Sequence, residues 1–196
     1  MTEEQKFAIA AINIVEIQNK MAPPDMFGLK RSFVEPDFSA ELLGYDAMHA
    51  IPVNDVFGEE CYLSKLRDEE TDAAVIFHRL GSVQGSEGIV DKFECVTTDA
   101  KKYFILYLDP YYTKQSQQAP QGFKLAKYNV GLNGTSVGYN EDFPNVVKQV
   151  EEYSKRAYGA DIASAALASV DMEILKKKVH KERLKREEAN KHESND

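Results

Sequence analysis

The chain has 196 residues, of which 43% are apolar, 29% charged and 10% aromatic. A chain of this size folded as one unit hides roughly 70% of its extended-state surface, so it can build a core without disulfides or metal. Asp and Glu outnumber Lys and Arg by 32 to 24, a net charge of −8, which excludes a generally basic nucleic-acid coat. No apolar run approaches the ~20 residues of a membrane span.

Residues 2–22 read as a helix. Thr2 and Gln5 have capping-box spacing. Phe7, Ala11, Ile14 and Met21 form one apolar line, and Ala8, Ile12 and Val15 a second. A face this broad expects more than one neighbour, or a second subunit. The acidic start is not that of a secretory leader, so the expected location is cytoplasmic. Pro23-Pro24 ends the helix.

Residues 25–72 show no sustained period, and the expectation is irregular structure with short helices. Asp55-Val56-Phe57-Gly58 reads as a turn. Cys61, Leu63 and Leu66 fit a short strand or one helical turn.

The period then changes to two. Strands are expected over 73–80, 89–97, 102–109 and 122–130, with a short fifth from Thr135 to Tyr139. The segment 102–109 is apolar on both faces, which suits a strand covered on both sides. Short links imply mainly antiparallel pairing, with the loop 110–121 leaving one connection open.

Two C-terminal helices are expected, over 142–158 and over 162–188 with Asp161 as cap. The second carries two apolar lines about 140° apart. One line is Ala163, Leu167, Val170 and Ile174; the other is Ala168, Met172, Leu175 and Val179. Such a helix faces both the body of the protein and something else. Residues 176–196 hold eight Lys/Arg against five Asp/Glu. The expected organisation is one α+β domain over 1–175 and a charged helical extension over 176–196 with a frayed end. In that domain an antiparallel sheet of four to five strands (about 73–139) is packed by an N-terminal and two C-terminal helices.

The chemistry-bearing patterns are incomplete. The glycine loops at 81–88 and 131–138 lack the Lys of a phosphate loop and read as hairpin turns. Cys61 and Cys95 sit among apolar residues, with no signature around either thiol. Asp46 and His49 share a helical spacing, with Asp55, Glu59 or Glu60 as further candidates, but a pair of ligands is incomplete and acidic loops are usually solvated. No metal and no cofactor is therefore expected.

Three readings follow. The first is a non-enzymatic binding protein that associates with itself or a protein partner through its terminal helices. Tyr111, Tyr112, Met172, Leu175 and Val179 are its candidate contacts, since loop tyrosines and a surplus apolar stripe suit interfaces. The second is a small-molecule binder or enzyme with a pocket between sheet and helices, lined by His78, Asp91, Glu94, Tyr103 and Tyr107. The third is a nucleic-acid accessory protein working through Lys176 to Arg186, which the interspersed Glu182 disfavours.

Overall fold

The computed structural model describes residues 29–126, 135–136, 143–145 and 170–193. In chain order the elements are β1 (Ile51–Pro52), α1 (Asp55–Lys65), β2 (Leu66–Asp68), β3 (Val75–Gln84), β4 (Ile89–Thr97), β5 (Tyr103–Asp109), β6 (Phe123–Leu125), β7 (Thr135–Ser136) and α2 (Met172–Glu193). A 3-10 turn over Ala47–His49 precedes β1 and is capped by the Asp46 carboxylate.

The main sheet has five strands in the order β1-β5-β4-β3-β7. β3, β4 and β5 form the antiparallel meander that the short links demand. The edges depart from the expected antiparallel sheet, because β1 runs parallel to β5 and β7 parallel to β3. Pro52 is tolerated in β1 because that strand lies at the edge. β6, expected as a fourth strand of the same sheet, instead leaves it and pairs antiparallel with β2. The turn between β3 and β4 is shorter than expected: β3 runs on to Gln84, with a bulge between Arg79 and Gly81.

α1 replaces the expected irregular stretch. The residues read as a turn, Asp55 to Gly58, are its first turn, and Cys61 and Leu63 lie on it while Leu66 opens β2. Tyr62, Leu63 and Leu66 pack against Val75, Phe77, Phe93, Cys95, Leu106 and Leu108, and this cluster is the core. Its members on β3, β4 and β5 sit two apart, so they share one face of the sheet.

The other face carries Ile76, His78, Glu94, Val96, Tyr103, Ile105 and Tyr107 by the same alternation. α2 covers it. Asp171 caps α2 by accepting from the N–H groups of Glu173 and Ile174. Residues 170–171 are not helical, so α2 begins at Met172 rather than at 162, and it runs on to Glu193; residues 162–169 lie outside the described residues. Two α-helices occur among the described residues, not the expected N-terminal one plus two C-terminal ones. The expected helices over 2–22 and 142–158 lie outside the described residues, apart from 143–145.

Candidate functional site

Glu94 is the centre of the α2 face. It stands in the middle of β4, opposite His78 on β3 and Ile105 on β5. Its side chain is 1% exposed. A buried carboxylate persists only if its lone pairs are filled. Here they are: Tyr103 donates its hydroxyl to Oε1 at 2.6 Å, and Arg183 donates Nε to Oε1 at 2.8 Å and Nη2 to Oε2 at 2.5 Å. The His78 ring Nε2 lies 2.6 Å from Oε2. An ionised carboxylate only accepts, so this nitrogen carries the hydrogen. Burial by itself would raise the carboxyl group, but the bonds from Arg183, His78 and Tyr103 prevail and hold it at about 2. The same burial and the neighbouring Glu94 push Tyr103 up to about 12.

Phe143 closes the cluster. Its ring stacks on His78 with centroids 4.1 Å apart, and the Arg183 guanidinium lies 6.0 Å from its centroid. The carboxylate is thus saturated by partners of its own chain and fixed in the charged form. Such a group ties a helix to a sheet; it does not exchange protons near neutral pH.

Of the five expected pocket residues, the structure brings together His78, Glu94 and Tyr103. Tyr107 lies on the same face, under the Lys92 ammonium at 5.8 Å. Asp91 does not join them. It points to the α1 face, where Arg79 grips it through Nε at 2.7 Å and Nη2 at 2.8 Å, and Ser82 donates at 2.7 Å. Beside it, Glu59 of α1 is 1% exposed and its Oε1 has no hydrogen-bond partner. Burial, followed by the neighbouring Asp91 charge, pushes the Glu59 carboxyl well up. Glu60, half-buried, is raised by desolvation to about 7.

Leu175 and Val179, expected as partner contacts, are fully enclosed by their own chain at 0% and 2% exposure. Buried within the chain, this stripe is spent on folding. Met172 is half-buried, and Ile174 from the other stripe is exposed. The basic residues beyond them are largely occupied as well: Lys176 pairs with Glu173, and Lys178 and Lys185 with Glu182.

Tyr111 and Tyr112 open the loop after β5 and are half-buried. Arg31 organises this corner. It bonds Glu87 at the β3–β4 turn and Asp109 at the end of β5, and its guanidinium lies 4.4 Å over the Tyr112 ring. Tyr112 donates to the same Glu87 oxygen at 3.0 Å. Burial and that bond raise the Tyr112 hydroxyl to about 12. Leu29, Arg31, Glu87, Gly88, Ile89 and Tyr111 border a shallow depression of about 240 Å3. Leu29 and Ile89 are exposed by 57% and 52%.

From sequence, Arg31 and Glu87 are not singled out, Arg183 and Arg186 enter only within the basic run Lys176 to Arg186, and Glu59 only as a further candidate metal ligand beside Asp46 and His49. A signal existed for two of them: Arg183 and Arg186 continue the 175, 179 spacing along one helix face, but cations there read as solvated.

Asp46 and His49 bond each other, with Phe38 edge-on to the imidazole. Among the described residues no group of three or more His, Cys, Asp or Glu is placed to hold a metal. Cys61 and Cys95 are buried and not joined in a disulfide. No described helix is long and apolar enough to cross a membrane. Compared with protein-family models, curated proteins and solved structures, the chain gives no significant match.

Proposed function

We propose that the chain is a non-enzymatic binding protein that self-associates through the face formed by Leu29, Arg31, Glu87, Ile89 and Tyr111. One observation carries this reading. Two large apolar side chains stand more than half exposed beside an arginine and a tyrosine, in one depression. Arg and Tyr are the residue types enriched at the energetic centre of interfaces. Arg31 and Glu87 are already paired with each other, so the contact rests on the apolar side chains, with this ion pair at its rim. The stripe first expected to dock, Leu175 and Val179, is enclosed, which moves the proposed contact from the terminal helix to this corner.

Sedimentation velocity over a concentration series tests the reading. Wild type should shift to a dimer as concentration rises. Ile89→Asp places a charge in the contact and should remain monomeric at the same concentrations, with unchanged circular dichroism because Ile89 is exposed. A wild-type protein that stays monomeric throughout, or an Ile89→Asp variant that dimerises equally well, would contradict it.

A further inference from the structure

The cleft between α2 and β5 lies on the opposite side of the sheet from α1 and adjoins the Glu94 cluster. Its volume is about 320 Å3, and Tyr103, Phe104, Ile105, Glu182, Arg186 and Ala189 are among its lining residues. This is the low end of the range for small-molecule sites. The charges in it are unequally satisfied. Glu182 receives Lys185 at 3.0 Å and Lys178 at 3.3 Å, so its carboxylate is already neutralised. Arg186 is half-buried, and its guanidinium donates Nη1 to the Tyr103 hydroxyl at 3.2 Å. That oxygen is neutral, because burial and Glu94 raise the hydroxyl to about 12. No carboxylate among the described residues lies within ion-pair distance of Arg186. Its counterpart three positions earlier, Arg183, holds Glu94 with two hydrogen bonds.

We infer that this cleft binds a small organic carboxylate with an apolar body, its carboxylate held by Arg186 and its body laid against Tyr103, Ile105 and Ala189. The guanidinium fork matches a planar carboxylate, and the Nη1 bond to Tyr103 fixes the plane of the fork. The ring and the aliphatic wall supply apolar contact that a bare inorganic ion would not use. Glu94 contributes indirectly, because it anchors Tyr103 and, through Arg183, the helix that carries Arg186. This inference is independent of self-association, which uses the other end of the sheet.

The test is a nuclear magnetic resonance titration of the full chain with phenylacetate, followed at Tyr103, Ile105 and Ala189. These resonances should shift to saturation. Acetate, inorganic phosphate and benzyl alcohol, each lacking one half of the ligand, should bind about tenfold more weakly or worse. Arg186→Gln should weaken phenylacetate at least about tenfold. Ala189→Phe, which fills the cleft from an exposed position, should abolish the shifts and serves as the deciding variant if Arg186→Gln does not fold. Absence of saturable shifts in the wild type would overturn the inference. So would a phosphate affinity equal to that of phenylacetate, or undiminished binding by Ala189→Phe or by a folded Arg186→Gln.

Discussion

Arg183 on α2 and Glu94 on β4, 89 residues apart in sequence, are joined by two parallel hydrogen bonds of 2.8 and 2.5 Å. This pair decides where the last helix goes. Leu175 and Val179 supply its apolar contact, but apolar contact alone is non-directional. A bidentate pair sets the rotation and the axial register of the helix, because a carboxylate buried at 1% exposure tolerates no other arrangement.

Removing the cation should therefore cost far more than a surface ion pair. Arg183→Met keeps the apolar stem but leaves Glu94 buried with only His78 and Tyr103. The expected loss is about 3 kcal/mol, the lower end for a broken buried pair because the guanidinium retains some solvent. Urea unfolding midpoints measure it; a loss within about 0.5 kcal/mol, typical of surface sites, would show that the pair does not hold the helix.

Acid should unlock the same contact. The Glu94 carboxyl lies at about 2 in the folded protein against an ordinary 4.5, and Asp68, held by Lys102 and by backbone N–H groups, at about 2 against 3.8. As pH falls below the ordinary values, the unfolded chain takes up protons that the folded one refuses. The stabilisation is complete above the ordinary values and is lost progressively down to about 2. Stability measured against pH should fall in that window, and Glu94→Gln should flatten the slope.

Glu59 predicts the opposite sign on the other face. Its carboxyl is raised by burial and by Asp91, so the folded protein keeps a proton that the unfolded chain releases near 4.5. Stability from this group is present below that value and declines as pH rises towards the folded value. Glu59→Gln imitates the neutral acid. It should be more stable than wild type at about pH 8 and should remove a protonated-carboxyl band from the infrared spectrum. Equal stability and an unchanged band would place the proton elsewhere.

Gly44 ties the segment before β1 to the core. Its φ is +77°, and an added Cβ would lie 2.5 Å from Ile51 Cδ1 and 3.2 Å from Leu106 Cδ2. Gly44→Ala should then lower stability by about 1–3 kcal/mol, through backbone strain and overpacking together. Thermal unfolding followed by calorimetry reads the shift.

The meander was legible in the sequence because β3, β4 and β5 are short runs rich in β-branched and aromatic residues joined by short turns. α1 was not. Glu59, Cys61, Tyr62, Leu63 and Ser64 are all buried, so the helix is enclosed on several sides and shows no single apolar stripe. A buried Glu and a Gly at 58 mimic a turn. The parallel edge strands escaped for another reason: β1 and β7 are two residues each, too short to carry a period. At the candidate site, the sequence grouped His78, Glu94 and Tyr103 with Asp91 and Tyr107 as pocket lining, and the observed register sets the first three on one face. Asp91 went to the other face because residues 91 and 94 are three apart in a strand. Arg183, which completes the cluster, comes from a segment whose charge density made it read as solvated.

The central claim is self-association at the Leu29–Ile89 corner, and a single cysteine tests it directly. The two native thiols are buried. Ile89→Cys, oxidised mildly at a concentration where wild type is dimeric, should yield a covalent dimer, because a two-fold contact centred there brings the new thiols together. Ile174→Cys, equally exposed on α2, is the control and should cross-link far less. A covalent dimer from Ile89→Cys no more abundant than from Ile174→Cys would contradict the account.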